Sequence, residues 1–312
     1  MDNSIVVIGS SNTDMVVRTE RFPAAGETIL GGDFLMNAGG KGANQAVAAA
    51  RLGGKVTFVC KTGDDVFGKE ALKSFVKEGI DTSFTARDSS VPSGVALIMV
   101  DNQAENVIVV APGANGKLVK EDIQQAENRI LLAKYVLMQL ETPLETVSYA
   151  AKFAHSNQVK VVLNPAPAQK LSAELFRYIS IITPNEKEAG MLTGTLVDSL
   201  ESAKNAALKL YGKGVETVII TMGSKGALVF YDDVFTHVKA PVVEAVDTTA
   251  AGDVFNGALV VALSEGKQLV RAVEFACQAS AISVTRKGAQ NSAPYREEVI
   301  EKMSVAYHSI QS

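Results

Sequence analysis

The sequence predicts an α/β protein in which helices cover both faces of a central, mostly parallel β-sheet. Two observations carry this prediction: short apolar runs rich in Val and Ile, and segments of helix length that alternate with them. Strands with few polar residues are typical of parallel sheets, because both sides of each strand are buried. The 312 residues are enough to bury a large core without a disulfide or a structural metal. We therefore expect one α/β domain over residues 1–312.

The strands of the sheet are predicted from six apolar runs. They lie at residues 5–9, 56–60, 135–140, 159–163, 179–182 and 217–221. Apolar residues at helical spacing predict helices between these runs, at residues 65–80, 144–156, 200–213 and 267–285. Strands separated by helix-length segments form βαβ units, which place the strands parallel to each other.

Two regions, residues 13–38 and 93–110, interrupt this alternation. They contain apolar runs without helical spacing, and the polar turn 101–105 separates two of these runs. This pattern predicts a small antiparallel sheet inserted into the α/β body. The sheet is either a lid that closes over a site, since inserted loops often carry function, or a pair of hairpins without a role in binding.

The composition argues against several function classes. A formal net charge of −4 gives no general attraction to nucleic acid or to an anionic membrane. Cys60 and Cys277 lack a nearby second cysteine, which predicts two buried thiols in a reducing compartment. The scattered His155, His237 and His308 give little support to metal or Ser-His-Asp chemistry. The first residues lack a signal-peptide pattern and no apolar run approaches the ~18–20 residues of a membrane span, so we expect a cytoplasmic protein.

Residues 246–263 combine a helix start with an acidic side chain. A strand-like run, 242–246, precedes a helix that is predicted to begin near Ala251. Ala251, Gly252 and Asp253 would then lie at the helix N-terminus, where small side chains let an anion approach the backbone N–H groups. Amides that stabilise developing charge beside a carboxylate that accepts a proton suit phosphoryl transfer. The same residues also fit an acidic residue that only stabilises a helix start.

Residues 37–53 place glycines before an Ala-rich helix. The segment is no Walker A loop, because Lys41 is followed by Gly42 instead of Ser or Thr. Glycines let the backbone approach a ligand closely, and Asn44 could hydrogen-bond a polyol. Close packing of the helix on the sheet, without any ligand, explains the pattern equally well.

Polar side chains follow the first predicted strand, at residues 9–14. Asn12 and Asp14 project from the carboxyl end of this strand, where open α/β sheets bind ligands. An Asn side chain both donates and accepts, and a carboxylate can accept from two adjacent hydroxyls. Turn formation by Asn and Asp is the competing interpretation.

Two later segments offer groups for an anionic ligand. In residues 183–194, Asn185 and Glu188 share one face of a helix start, and a carboxylate there could hold Mg²⁺ through waters. The glycine-bracketed turn 221–226 follows a predicted strand and could cradle a nucleotide phosphate. A solvated capping segment and an ordinary β-turn are the alternatives.

Taken in order, these five segments resemble the ribokinase family of carbohydrate kinases. The similarity runs from VVIGSSNTD to VTRKGAQ and includes both recognition segments of the family, GGKGANQAVAAARLG and DTTAAGDVFNGAL. The phrases MQLETPLE, LNPAPA and ITPNE add to it. The resemblance implies a three-layer α/β/α body with a β-sheet lid formed by about 13–38 and 93–110. It also implies that the lids of two chains meet in a homodimer.

The resemblance further implies ATP-dependent phosphorylation of D-ribose at the 5-hydroxyl, which yields ribose 5-phosphate and ADP. Asp253 would be the general base, and the amides from Ala251 to Asp253 would stabilise the transferred phosphoryl group. The residues implied to contact the sugar are Asn12, Asp14, Gly40, Lys41, Gly42, Asn44, Glu141 and Asp253. Those implied at the nucleotide are Asn185, Glu188, Thr221, Gly223, Ser224, Gly226, Gly252 and Cys277. Glu188 would also organise Mg²⁺.

A monovalent-cation site, with K⁺ as activator, is implied as well. Its ligands would be Asp247, Thr249, Ser283, Arg286, Gly288 and Ser292. Arg286 would contribute its carbonyl oxygen, because a guanidinium has no acceptor. If no cation binds, Asp247 would only cap the turn before the helix.

Two positions depart from the family pattern. Ala250 stands where most members have glycine, and Cys277 stands near the adenine, where a histidine is frequent. Alternative substrates that stay open are 2-deoxyribose, fructose and a nucleoside. The remaining alternative is a catalytically inactive sugar-binding regulator on the same fold. An intact Asp253 with its amides favours an enzyme, since a regulator has no need of the base.

Overall fold

The computed structural model describes residues 3–103 and 105–311. In this part of the chain the strands lie at Ser4–Ile8 (β1), Asn12–Arg18 (β2), Phe34–Gly39 (β3), Lys55–Gly63 (β4), Thr85–Asp88 (β5), Gly94–Val100 (β6), Asn106–Ala111 (β7), Tyr135–Met138 (β8), Lys160–Leu163 (β9), Ile181–Ile182 (β10), Thr217–Thr221 (β11), Ala227–Tyr231 (β12) and Val234–Val238 (β13). The α-helices lie at Lys41–Arg51 (α1), Val66–Lys77 (α2), Lys120–Gln125 (α3), Glu127–Leu132 (α4), Leu144–Ser156 (α5), Ala173–Phe176 (α6), Glu186–Thr193 (α7), Leu200–Tyr211 (α8), Ala251–Ser264 (α9), Leu269–Ser283 (α10) and Arg296–Gln311 (α11). Short 3₁₀ helices lie at Gly113–Lys117, Gly223–Lys225 and Gln290–Ser292.

The large sheet contains nine of the described strands, in the order β13-β12-β11-β10-β9-β8-β1-β4-β5. All pairs from β11 to β5 are parallel, whereas β12 and β13 run antiparallel to their neighbours. The six predicted strands are confirmed as β1, β4, β8, β9, β10 and β11. The four predicted helices are confirmed as α2, α5, α8 and α10.

Alternate residues of the strands face two separate cores. On β1, Ile5 and Val7 pack into a cluster with α1, α9 and α10. Val6 and Ile8 point the other way and pack into a cluster with α5 and α8. Both faces of the sheet are therefore covered, which is why its strands are rich in Val and Ile. The three-layer α/β/α architecture is confirmed.

The hairpin of β12 and β13 was not predicted from the sequence. Asp232 and Asp233 form its two-residue turn and have positive φ angles of 52° and 57°. Two positive φ angles in the turn match the twist of hairpin strands, but Asn-Gly or Asp-Gly is the usual sequence for it. Two consecutive Asp residues are a much weaker signal, so the hairpin escaped prediction.

The small sheet consists of four strands in the order β3-β2-β6-β7. Its outer pairs are antiparallel, but the central pair of β2 and β6 is parallel. The prediction of an entirely antiparallel sheet is therefore wrong at its centre. The reason is that two hairpins leave the body side by side, with Asn12 opposite Gly94, and run in the same direction. Residues 27–30, which belong to the region 13–38 predicted for the small sheet, form no strand.

Side-chain hydrogen bonds fix the roots of the small sheet. Asn115 Oδ1 accepts from Ser11 N at 2.9 Å, and Asn115 Nδ2 donates to Asn12 Oδ1 at 2.7 Å. Asp65, which caps α2, accepts from Ser93 N at 2.8 Å and from Ser93 Oγ at 2.7 Å. Because Asn12 begins β2 and Ser93 precedes β6, both central strands are tied to the body where they leave it.

Residues 242–246 form no strand, contrary to the prediction. Val242 is fully exposed and Val246 is 57% exposed, so this run has no apolar surface to pack on. Its end is held where Val246 N and Asp247 N both donate to Val284 O, at 2.7 and 3.1 Å. Within residues 3–103 and 105–311, no helix has the length and apolar character of a membrane-spanning segment.

Candidate active site

The carboxylate of Asp253 lies buried at the N-terminus of α9. The helix begins at Ala251, as predicted, and only 5% of Asp253 is exposed. Asn44 Nδ2 donates to Asp253 Oδ2, and Gln45 Nε2 donates to Asp253 Oδ1, each at 2.9 Å. The structure thus brings together Asn44 and Asp253, which are 209 positions apart in the sequence.

The backbone that enters α9 is left-handed at Ala250, with φ of 59°. Glycine adopts this conformation without steric strain, which explains why the family pattern has glycine there. Among the described residues no side chain caps the helix, and a Cβ atom placed on Gly252 would meet nothing within 4 Å. The first turn therefore faces open space, where the helix dipole favours an anion.

Glu141 is fixed against the N-terminus of α1. Its Oε2 accepts from Ser10 Oγ at 2.5 Å and from Lys41 N at 3.0 Å. The close approach of α1 to Ser10 depends on Gly42, because a Cβ atom there would lie 2.6 Å from Ser10 N. Gly40 has φ of 88°, a backbone conformation that favours glycine. Close packing of α1 on the segment after β1 is therefore one role of these glycines.

Four carboxyl groups interact electrostatically with the ammonium group of Lys41. The charge of Asp253 raises the pKa of Lys41 most, while burial opposes it, and further contributions come from Glu141, Glu188 and Asp14. Burial, followed by the charges of Glu141 and Asp253, raises the pKa of Asp14 to about 6, although Lys41 acts to lower it. Residues of the small sheet, α1, α7 and α9 therefore share one electrostatic environment.

Asn12 and Asn44, the two asparagines predicted to contact the sugar, differ in whether the side-chain oxygen already accepts a hydrogen bond. Asn12 is 7% exposed, and its Oδ1 accepts from Asn115 at the root of the small sheet. Its side chain therefore stabilises that root. Asn44 Oδ1 is buried and has no hydrogen-bond partner among the described residues. This leaves a buried acceptor available for a bound hydroxyl.

The segments predicted at the nucleotide meet at the carboxyl ends of β10 and β11. Asn185 pairs with Thr221 in an isolated parallel bridge, and Thr221 N donates to Pro184 O at 2.9 Å. Asn185 Oδ1 accepts from Glu188 N at 2.8 Å, and Glu188 Oε2 accepts from Asn185 N at 2.9 Å. The pair therefore caps α7, but Glu188 is only 8% exposed, so it is not the solvated cap of the competing interpretation. Glu188 also interacts electrostatically with Lys41.

The turn after β11 combines exposed and buried residues. Gly223 and Ser224 are exposed, and Gly223 has φ of 55°. Gly226 is buried, and a Cβ atom placed there would lie 2.0 Å from Val238 O. Gly226 is therefore needed for close packing on β13, whereas the exposed part of the turn stays available to a ligand.

Known proteins resemble the chain over nearly its whole length. A family model described as pfkB family carbohydrate kinase matches residues 2–296. The chain belongs to this family of carbohydrate kinases. A ribokinase from Haemophilus influenzae is 49% identical over 301 residues, which cover 96% of this chain and 98% of that protein. A deoxyribokinase from Salmonella typhi is 39% identical over 302 residues, with coverage of 96% and 99%. The structure of Arabidopsis thaliana ribokinase complexed with ribose and ATP matches with a TM-score of 0.90 at 33% identity, covering 96% of this chain and 98% of that one.

In this pfkB-family kinase, Asp247 connects the turn before α9 to the loop after α10. Its Oδ1 accepts from Thr249 N and its Oδ2 accepts from Gly288 N, both at 2.9 Å. Partial burial acts to raise the pKa of Asp247, but the hydrogen bonds from Thr249 and Gly288 hold it below its usual range. Three of the six residues predicted at the cation are thus in contact.

The other three residues lie at the end of α10 and in the loop that follows. Arg286 N donates to Ser283 O at 3.0 Å, and the Arg286 guanidinium pairs with Glu298. Ser292 Oγ donates to Ala289 O at 2.8 Å. With its side chain engaged by Glu298, Arg286 has only its backbone to offer a cation.

A metal ion in this kinase would need more than side-chain ligands. In the part of the chain that the structure describes, no group of three His, Cys, Asp or Glu side chains could hold one. Glu188 and Asp247 are single carboxylates, so waters, backbone carbonyls or substrate oxygens would complete the ligand sets. Such oxygen-rich sets suit hard cations such as Mg²⁺.

Cys277 offers little surface to a nucleobase. It is 6% exposed and packs within the apolar cluster that contains α9 and α10. Burial, followed by the charge of Glu274, raises the pKa of Cys277 to about 12. Cys60 is buried as well, and both cysteines are free, as predicted.

Several polar residues behind the site were not predicted from the sequence. Gln139 and Asn164 directly follow β8 and β9, so the rule that places ligands at the carboxyl ends of parallel strands could have found them. Gln45 gave one signal only, a polar residue within an Ala-rich helix that proves to be fully buried. Asn115 had no local signal, because its partners Ser11 and Asn12 are more than 100 positions away.

Proposed function

We propose that this carbohydrate kinase transfers the γ-phosphoryl group of ATP to the 5-hydroxyl of D-ribose. The observation that carries the proposal is the buried carboxylate of Asp253 within the uncapped first turn of α9. A general base and an anion site then lie on one turn of one helix, which suits phosphoryl transfer. The Haemophilus influenzae ribokinase and the Arabidopsis thaliana ribokinase with ribose and ATP support the choice of both substrates.

The sugar would bind between the small sheet and the N-terminus of α1. Asp14 would accept from two neighbouring ribose hydroxyls, and Asn44 Oδ1 is a free buried acceptor for another. Glu141, Lys41 and the Gly40–Gly42 backbone would complete the pocket. Asn12 contributes through the root of the small sheet, where its oxygen is engaged. These contacts would direct the CH₂OH group of ribose toward Asp253.

Asp253 would accept the proton of the 5-hydroxyl as this oxygen attacks the γ-phosphorus in line. The amides of Ala251, Gly252 and Asp253 would stabilise the equatorial oxygens, where negative charge develops. Lys41 keeps its positive charge, because Asp253 raises its pKa, and so offsets charge at the reacting centre. Positioned proton transfer typically contributes about 10²–10⁴-fold to the rate.

The nucleotide would lie along Asn185, Glu188, Thr221, Gly223, Ser224, Gly226 and Gly252, with Cys277 behind them. Glu188 places a largely buried carboxylate, 8% exposed, in the first turn of α7, and carboxylate oxygens are ligands that suit Mg²⁺. Glu188 would hold the ion through waters. When bound, Mg²⁺ supplies charge neutralisation on the phosphates. ATP is a cytoplasmic metabolite, so we place the reaction in the cytoplasm.

We also propose that K⁺ activates the kinase at Asp247. The ligands would be Asp247 and oxygens of Thr249, Ser283, Arg286, Gly288 and Ser292. Asp247 already joins the turn before α9 to the loop after α10, and each carboxylate oxygen can accept more than one interaction. The ion would not touch substrate but would hold the turn whose amides bind phosphate.

The small sheet would act as a lid and as the contact of a homodimer. Phe34, Met36, Leu97 and Val109 lie on one face of this sheet and are between 54% and 60% exposed. Adjacent apolar side chains with that exposure mark an interaction surface. The small sheet of a second copy would cover it, which supports the homodimer.

Ribose is expected to be the better substrate than 2-deoxyribose. The deoxy sugar lacks one of the two hydroxyls that Asp14 would accept from. Losing a hydrogen bond to a charged group costs about 1.5–3 kcal/mol, which is about tenfold or more in kcat/KM. The measurement is ADP release in a coupled assay, run with a panel of pentoses and hexoses.

The Asp14→Asn variant is the matched control for sugar choice, because it removes the charge that makes the missing hydroxyl costly. The preference for ribose should shrink in this variant. Equal efficiency for the two sugars in the unmodified kinase, or a preference for 2-deoxyribose, would reject ribose. The Salmonella typhi deoxyribokinase would then be the better guide to the substrate.

Ribose binding is expected to weaken as the pH falls through about 6. The pKa of Asp14 is raised to about 6, so this carboxyl group loses its negative charge in that range. If ribose needs the carboxylate, Kd should rise about tenfold between pH 7 and pH 5. Calorimetric titration with ribose, without ATP, measures this. Asp14→Asn should bind weakly at every pH, and an unchanged Kd down to pH 5 would exclude the role of Asp14.

A further inference from the structure

A chain of buried amide side chains lies behind Asp253. Gln139 Nε2 donates to Gln45 Oε1 at 2.5 Å, and Gln45 Nε2 donates to Asp253 Oδ1 at 2.9 Å. The second hydrogen of Gln45 Nε2 goes to Asn164 Oδ1 at 3.0 Å. Gln45, Gln139 and Asn164 are 0%, 1% and 6% exposed, so water does not compete for these hydrogen bonds.

Asp253, at the end of this series of amides, determines which group donates and which accepts in each hydrogen bond. An ionised carboxylate only accepts hydrogen bonds, so the group that faces Asp253 Oδ1 must be the NH₂ group of Gln45. Gln45 Oε1 then has to accept, which it does from Gln139. Gln45 Nε2 donates two hydrogen bonds and Gln45 Oε1 accepts one. Turning the amide over would break all three, so this side chain has one favourable orientation.

A second arm connects the same amides to the backbone of the first turn of α9. Asn164 Nδ2 donates to Thr183 O at 3.2 Å, and Thr183 Oγ1 donates to Asn256 Oδ1 at 2.6 Å. Asn256 Nδ2 donates to Gly252 O at 2.8 Å. The carboxylate of Asp253 and the backbone of Gly252 are thus supported by one polar network at the carboxyl ends of β8, β9 and β10.

We propose that Gln45 is a positioning residue for the reaction. It fixes Asp253 Oδ1, so that Oδ2, which Asn44 contacts, is the oxygen turned toward the 5-hydroxyl of the sugar. The inference rests on the proposed role of Asp253 as the base. Gln45 would not touch substrate, because it is fully buried and its amide is committed to the network.

The charged groups that face Asp253 come from three elements. Lys41 lies at the start of α1, Asp14 on the small sheet and Glu188 in the first turn of α7, and each interacts electrostatically with Asp253. These groups remain unchanged when Gln45 is replaced. A change in the pH dependence of a Gln45 variant therefore reports on the contact between Gln45 and Asp253.

The test compares Gln45→Met with Gln45→Glu in the full-length kinase. Met keeps the length and removes the donors, so the single-turnover rate should fall about tenfold because the base is no longer held in place. Glu puts a second carboxylate beside Asp253, and the pair then shares a proton. The acid limb of the rate profile should move up by about one pH unit or more. The Kd for ribose should stay within about threefold in both variants, since only the chemical step is affected.

Val47→Ala on the same helix is the matched control. Val47 is fully buried in the apolar core, so its truncation lowers thermal stability without altering polar contacts. Its single-turnover rate and pH profile should equal those of the unmodified kinase. If Gln45→Met likewise lowers only stability, and Gln45→Glu keeps the original pH profile, Gln45 has no positioning role. A near-normal rate in Asp253→Asn would instead remove the base itself, so the two failures are distinguishable.

Discussion

Replacement of Asp253 by Asn is expected to lower kcat by about two orders of magnitude or more, because the amide cannot accept the proton of the attacking hydroxyl. The substitution keeps the size of a side chain that is 5% exposed, so the surrounding core should not change. The new amide oxygen can accept from Gln45, and the new NH₂ group can donate to Asn44 Oδ1, which has no partner among the described residues, once the Asn44 amide turns over. Ribose should still bind. The measurement is the single-turnover rate at saturating ATP and ribose, together with ribose Kd by calorimetry.

Asp122→Asn is a suitable control for this substitution. Asp122 also lies in the first turn of a helix, α3, and it forms an ion pair with Lys61. The same chemical change at a helix start, outside the proposed site, should leave turnover unchanged. Near-normal turnover in Asp253→Asn would mean that another group accepts the proton and that the proposed mechanism is wrong.

The body of the fold was predictable because its signals are local. Each parallel strand is a short run of Val and Ile, and burial on both sides makes such runs visible without any partner. The pairing of β2 with β6 is different, because it depends on where two hairpins leave the body. The contacts that set this geometry join Asn115 to Asn12 and Ser93 to Asp65, far apart in the sequence. No local pattern reports them.

The candidate site likewise combines features that the local sequence predicts with contacts that it does not predict. The sequence around Asp253 predicted a helix start with a carboxylate in its first turn, because the apolar spacing of α9 is local. What it could not provide is the pairing of this carboxylate with Gln45, 208 positions away. In an Ala-rich helix, Gln45 resembles a surface residue until α9 is packed against it. Asn12 was predicted to contact the sugar, and the sequence did not show that its oxygen also accepts a hydrogen bond from Asn115 at the root of the small sheet.

Removal of K⁺ is expected to lower the activity. Asp247→Ala should abolish the activation by K⁺ and lower the rate by about 10²-fold. The variant loses the hydrogen bonds that Thr249 N and Gly288 N donate to Asp247, which hold the turn that leads into α9. Ala250 in that turn has a left-handed backbone, which persists only when its surroundings hold it. Losing one aligned donor at an anion site typically costs about 10²–10³-fold. The measurement is ADP release at fixed Mg²⁺, with K⁺ replaced by tetramethylammonium at equal ionic strength.

Glu244→Ala is the control that separates a cation ligand from general electrostatics. Glu244 is exposed and lies three residues before Asp247, so its removal takes away one negative charge from the same segment. K⁺ should still activate this variant, whereas Asp247→Ala should give the same low rate in both salts. Identical rates of the unmodified kinase in K⁺ and tetramethylammonium would remove the cation site. Asp247 would then only join the two loops, and the rate lost in Asp247→Ala would come from its hydrogen bonds alone.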